Sequence, residues 1–211
     1  MSSKLLPAVL TSIGMLLLAG CDRVVGTAAT ANIRYAFLDT GDQPLREDFN
    51  RARGDVRLMF LVDPICPGCL RGLADMGDDL VSKLPKDAHV KIYVVFEPVI
   101  GGEAKNIPGA AALLKSSTLK LYWNPTGDFG RQMSHVLGYW NGERWVYAWD
   151  TWLIYSPGAA WNGAIPPKPF FLMDQLGGLP HDPRFPYLDA RVFAAKVRSM
   201  LADPHRTSAS R

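Results

Sequence analysis

The stretch from Arg57 to Leu84 constrains this chain more than any other. Arg57-Leu58-Met59-Phe60-Leu61-Val62 is a short apolar run closed by Asp63-Pro64, with the length and character of a buried strand. From Leu70 to Leu84 apolar residues recur at 70, 73, 74, 76, 80, 81 and 84, the spacing of an amphipathic helix stopped by Leu84-Pro85. Between the two lies Cys66-Pro67-Gly68-Cys69, so Cys66 falls at or just before a helix N-terminus. Unpaired backbone N–H groups and the helix dipole favour an anion there, which is what a reactive thiolate requires.

Two cysteines separated by two residues can close a small disulfide. The one nearer solvent attacks another sulfur through a mixed disulfide, and the second resolves it. That order makes Cys66 the nucleophile and Cys69 the resolving thiol. The same spacing is also half of a zinc site. A purely structural disulfide is a third reading, although so short a loop contributes little stabilisation in the loop-entropy model. Asp63 is open to two readings as well. It is either a buried carboxylate that exchanges a proton with Cys69, or a cap and turn-former of the kind that Asp before Pro often provides.

The succession of strand, Asp63-Pro64, Cys66-Pro67-Gly68-Cys69 and helix resembles the active site of the thioredoxin superfamily. Its Asp-Pro-x-Cys-x-x-Cys form is similar to the DsbC/DsbG group of periplasmic thiol-disulfide proteins. The resemblance covers residues 55–115 and again 166–202. His89 to Phe96 reads as the next strand, and Pro108 to Lys115 as a further helix with Pro108 in its first turn. Strand, C-x-x-C helix, strand and helix is thioredoxin order. The resemblance therefore implies an α/β, thioredoxin-like fold with a central mixed sheet flanked by helices. It implies a Cys66–Cys69 disulfide that exchanges with cysteine-bearing protein substrates, in isomerase or reductase work, recharged by a redox partner in the membrane. It also implies a cis-proline opposite the cysteines, just before an apolar strand. Pro169, followed by Phe-Phe-Leu-Met, has the matching position, and Pro167 is its rival. The group carries threonine before that proline, where this chain has Lys168 or Pro166, and a lysine near the cysteines would favour a thiolate by its charge. The segment ahead of the catalytic strand has no room for the group's dimerisation domain and linker helix, so a monomer is expected.

Upstream, Lys4 is followed by an apolar stretch from Leu5 to Ala19, shorter than the roughly 20 residues of a membrane span. It reads as a secretory signal. Leu18-Ala19-Gly20-Cys21 resembles the lipobox of bacterial lipoproteins, which would make Cys21 a lipidated anchor with enough acyl chains for stable attachment. Asp22 resembles the signal for retention in the inner membrane. The expected organisation is a signal peptide over 1–20, a tether over 21–31, one domain over 32–203 and a polar tail over 204–211. Of the three cysteines, lipidation of Cys21 leaves one pair in an oxidising compartment. With 48% hydrophobic and 20% charged residues and a formal charge of +3, the chain suits an ordinary globular domain and offers too little positive charge to argue for nucleic acid.

Residues 116–165 hold all six tryptophans. Trp145, Trp149 and Trp152 would share one helix face at i, i+4 and i+7, which predicts an aromatic-rich helical insertion packed on the sheet, or alternatively a groove for apolar segments of substrates. Residues 32–38 are expected as a first strand and 45–53 as a first helix. Tyr187 to Leu201 should be a C-terminal helix facing the sheet through Leu188, Val192, Phe193, Val197 and Leu201. His89, His135, His181 and His205 stand apart from one another, so no metal site and no cofactor is expected, His135 being the one candidate for a copper-handling role. No Gly-rich phosphate loop or nucleophilic serine elbow is present. The competing functional reading is a non-catalytic binding or assembly lipoprotein of an envelope or secretion complex, with Cys66–Cys69 as a structural disulfide.

Overall fold

The apolar run at 56–62 is a strand buried on both faces. In the computed structural model, which describes residues 33–38, 42–177 and 183–202, the elements in chain order are β1 (Ala36–Phe37), α1 (Gln43–Arg51), β2 (Val56–Val62), α2 (Pro67–Asp79), β3 (Val90–Phe96), α3 (Ile107–Ala112), β4 (Lys120–Trp123), α4 (Asp128–Leu137), β5 (Thr151–Tyr155), β6 (Phe171–Asp174) and α5 (Ala190–Ala202). The signal and tether expected at the N-terminus, Cys21, His181, His205 and the tail lie outside the described residues. No helix among the described residues is long and apolar enough to cross a membrane.

All seven residues of β2 are buried, which explains a run too continuously apolar for a half-exposed strand. Alternate side chains go to opposite sides of the sheet. Val56, Leu58, Phe60 and Val62 meet Leu73 and Met76 of α2, Ile107 of α3, and Phe193 and Val197 of α5. Met59 and Leu61 meet Leu45 and Phe49 of α1 and Phe129, Met133 and Leu137 of α4. The result is a three-layer α/β domain with a mixed sheet in the order β1-β4-β3-β2-β5-β6. β3 lies parallel to β2, from Val56 opposite Val90 to Val62 opposite Phe96. On the other edge β5 runs antiparallel, with Leu61 opposite Thr151 and Arg57 opposite Tyr155. This is the expected fold class.

The aromatic segment departs from expectation. It contains one helix, α4, but β4 and β5 are strands of the central sheet rather than an added helical layer. Trp145, Trp149 and Trp152 share no helix face: Trp145 pairs with Trp140 in an isolated bridge, and Trp152 lies inside β5, packed on Phe60 at 4.8 Å between ring centroids. Trp123, Trp152 and Trp161 are core side chains and Trp149 is half-buried, while Trp140 and Trp145 form a ring pair that is 46% and 44% exposed. The first strand is only two residues long. The C-terminal helix begins at Ala190, with Asp189 accepting from the N–H groups of Arg191 and Val192 at 2.9 and 3.1 Å. It buries Phe193, Ala194 and Val197 but leaves Val192 exposed.

Two polar features fix the layers. Arg57 is buried at the start of β2, stacked 4.5 Å from the Phe49 ring centroid and donating to the carbonyls of Ala52, Ser156 and Ala159. Glu97, directly after β3, accepts the Gly130 N–H of α4 at 2.8 Å. Burial is the main cause that pushes its carboxyl up to about 8.

Two outcomes are expected. At Gly77 a Cβ would stand 2.2 Å from the Leu113 carbonyl oxygen, a backbone atom; Gly77→Ala should therefore cost about 1–3 kcal/mol as α2 is pushed off the 113–114 segment, seen as a lower urea midpoint at unchanged slope. The folded state keeps the Glu97 proton until pH about 8, whereas the unfolded chain releases it near pH 4.3. Folded protein thus binds more protons between these values, and stability must fall as pH rises across that window. Burial moves Asp150 and Asp174 in the same direction. Glu97→Gln should reduce the loss of Tm between pH 5 and pH 8 without abolishing it.

Candidate active site

The chain leaves β2 at Val62 and turns through Asp63-Pro64-Ile65 into α2. Asp63 is fully buried and decides the shape of this turn. Its Oδ1 accepts the Ile65 N–H at 2.9 Å, and its Oδ2 accepts those of Ile100 and Gly102 at 2.8 and 3.3 Å. One carboxylate therefore ties the turn before α2 to the loop after β3. Gly102 permits this closeness, because a Cβ there would lie 2.4 Å from Asp63 Oδ1 and 2.6 Å from Pro64 Cδ.

Cys66 is the N-cap of α2, in an extended conformation with φ −67° and ψ 121°, and Pro67 follows in the first turn. Its sulfur takes the place of a capping oxygen and accepts the Cys69 N–H at 3.4 Å, within the range of a hydrogen bond to sulfur and at the positive end of the helix dipole. Both cysteines are free thiols. Cys66 retains 6% exposure and Cys69 none, consistent with an outer and an inner sulfur. Burial, then the Asp150 charge and the contact with Cys66, push the Cys69 thiol well above the ordinary cysteine range.

The third corner of the site is Asp150, immediately before β5 and not singled out from the sequence. It has a positive φ of 46°, a region in which Asp and Asn are the most tolerant residues after Gly. It is 5% exposed. Trp152 Nε1 donates to its Oδ1 at 3.3 Å, and burial raises its carboxyl to about 6, with the Asp174 charge adding to the rise. One donor atom from each of Cys66, Cys69 and Asp150 lies within 4.8 Å of the other two. The close approach of α2 to β5 depends on Gly72, where a Cβ would meet the Trp152 ring at 2.3 Å.

The structure does not bring Pro169 to this site. Pro169 precedes β6, whose Phe171 pairs with Ile154, which in turn lies opposite Leu58. Leu58 is four residues from the C-terminal end of β2, about 13 Å along the strand at 3.3 Å per residue. Pro169, its rival Pro167 and Lys168 therefore belong to the opposite end of the sheet, and no peptide bond among the described residues is cis. The strand that starts at the cysteines is β5, so the place assigned to the proline by resemblance is held by Asp150. His135 lies in the last turn of α4 with its ring 4.1 Å from that of Trp145 and has no part in the cluster of thiols and carboxylate.

No protein-family model and no curated protein sequence matches this chain. Solved structures to which it is similar include the following three. A candidate protein disulfide isomerase from Bacteroides thetaiotaomicron shares 13% identity over 75% of this chain and 81% of its own, with a TM-score of 0.47. A secreted Mycobacterium tuberculosis disulfide oxidoreductase homologous to E. coli DsbE shares 7% over 71% and 84%, with a TM-score of 0.43. A thiol:disulfide interchange protein of the thioredoxin family from Chlorobium tepidum shares 13% over 72% and 83%, with a TM-score of 0.45.

The hydrogen bonds of Asp63 tie the turn before α2 to the loop after β3. Asp63→Ala would strand three backbone N–H donors, at about 1–3 kcal/mol for each that is left unsatisfied. Urea unfolding of Asp63→Ala should therefore show a loss of about 3 kcal/mol or more, with Asp63→Asn, which keeps one carbonyl oxygen, in between. Unchanged stability in both variants would return Asp63 to the role of proton acceptor.

Proposed function

We propose that this chain is a thiol-disulfide oxidoreductase that exchanges disulfides with cysteine-bearing proteins through Cys66 and Cys69. The observation that carries this reading is the pair of free thiols at the α2 N-terminus, one capping the helix and the other secluded beneath it.

Cys66, whose sulfur accepts the Cys69 N–H at the N-terminal end of α2, attacks as thiolate one sulfur of a substrate disulfide. That bond breaks, the other substrate sulfur leaves as a thiolate, and Cys66 is held in a mixed disulfide. Cys69 then attacks Cys66 Sγ, forming Cys66–Cys69 and expelling the second substrate sulfur, which takes up the Cys69 proton; the first substrate thiolate takes a proton from water, and the substrate leaves as a dithiol. Two electrons have passed from the pair to the substrate, and a reduced partner must return them. If another substrate thiolate attacks the substrate sulfur of the mixed disulfide before Cys69 acts, a new substrate disulfide forms, Cys66 leaves as a thiolate and the result is isomerisation instead. The high thiol pKa of Cys69 suits this division of labour, because a buried thiol is a poor nucleophile until its neighbour has reacted. Ile65 and Ile100, both exposed and both anchored through their backbone N–H groups to Asp63, provide an apolar lip beside the cysteines.

The sequence supports a location on the periplasmic side of the inner membrane, anchored through lipidated Cys21, with a membrane redox partner as the source of electrons and a monomer as the working form. A catalytic pair should show a reduction potential between about −120 and −270 mV and rapid alkylation of Cys66. Cys66→Ser should abolish exchange, and Cys69→Ser should accumulate the mixed disulfide on non-reducing gels. A potential below about −300 mV with an inert Cys66 would instead identify a structural disulfide in a binding lipoprotein.

A further inference from the structure

We propose that the reduced Cys66 and Cys69 thiols and Asp150 form a binding site for one divalent cation of the zinc type, with the fourth coordination position open to water or an incoming thiolate. The donors come from two separate elements, the α2 N-terminus and the residue before β5, and converge within 4.8 Å of one another. Tetrahedral zinc with Zn–S bonds of about 2.3 Å and Zn–O bonds of about 2.0–2.2 Å places its donor atoms about 3.5–3.8 Å apart. Closure around an ion thus requires side-chain adjustments of the order of 1 Å.

The surroundings favour this use of the carboxylate. Trp152 Nε1 takes Oδ1 of Asp150, which orients the group as an outer-shell partner orients a metal ligand. The second oxygen is turned to Gly68, where a Cβ would lie 2.7 Å from Oδ2 and 3.7 Å from Cys66 Sγ. The glycine of the motif therefore leaves the space through which the carboxylate approaches the sulfurs. Two thiolates with one carboxylate make a mixed soft and hard donor set, suited to zinc rather than to a cuprous ion, which prefers sulfur, or to magnesium and calcium, which prefer oxygen. With a divalent ion the site carries one net negative charge, at the positive end of the α2 dipole and within reach of the Arg71 charge.

Binding releases the two thiol protons and changes no oxidation state. Because the ion and the disulfide claim the same sulfurs, occupancy holds the pair reduced and out of exchange. The inference needs only reduced thiols and goes beyond the exchange reading without resting on it.

The test uses the full chain, reduced with a phosphine that is then removed, and titrated anaerobically with cobalt(II). A near-ultraviolet thiolate-to-cobalt charge-transfer band saturating at one equivalent, together with tetrahedral visible bands that zinc displaces, is the expected result. Asp150→Asn should weaken zinc at least tenfold in the competition. The absence of a charge-transfer band, or unchanged zinc affinity in Asp150→Asn, overturns the site. Should Asp150→Asn lose its far-ultraviolet dichroism, Gly68→Ala takes its place: a tenfold loss of zinc affinity supports the site and an unchanged affinity overturns it. Disulfide exchange measured with chelator on the same preparation separates the two readings, since cobalt binding without exchange removes only the proposed oxidoreductase activity.

Discussion

The rest of the structure depends on β2 being buried on both faces and paired on both edges, with its neighbours running in opposite directions. A parallel β3 brings its own C-terminal end beside Val62, and an antiparallel β5 brings its N-terminal end to the same point. Asp63, Glu97 and Asp150 are then the first residues off three adjacent strand ends. These carboxylates and the thiols gather at one end of the central strands because that is where the ladder stops and side chains no longer have to satisfy the two cores.

The two cysteines owe their difference to this framework. Asp63 absorbs three backbone donors and so fixes where α2 begins, which leaves Cys66 as the cap and rotates Cys69 one turn into the interior. Gly72 then lets the helix descend onto Trp152, closing the inner sulfur off from water. An Asp-Pro turn, a cysteine cap and a mid-helix glycine together separate an outer thiol from an inner one without any group devoted to that purpose alone.

Much of this was legible in the sequence. β2, the helix after the cysteines, β3 and the C-terminal helix follow from period and punctuation, and the α/β class follows from the resemblance that their order carries. Trp152-Leu153-Ile154-Tyr155 followed by Ser-Pro-Gly also carried a strand signal, but the 145, 149, 152 spacing of tryptophans competed with it and suggested a helix. That exchange displaced the rest of the register. Without β5, the apolar run at 170–173 reads as the strand facing the cysteines and Pro169 as the proline before it, whereas that run is β6, one strand further from β2. Asp150 could be found only by pairing β5 with β2, since a single Asp between two tryptophans has no spacing relation to the cysteines. The burial of Arg57 was invisible for the same reason: two of its three carbonyl partners, Ser156 and Ala159, lie far along the chain.

The left-handed backbone at Asp150 also bears on how the site can diversify. Asn or Gly can occupy that conformation with little strain, and each is close to Asp in size or in its demands on the backbone. Proline, with φ confined near −65°, cannot do so unless the strand entry is rebuilt. Descendants of this chain can therefore gain or lose a charge beside the thiols by single substitutions, while a proline at the same point lies across a conformational barrier that no single replacement removes.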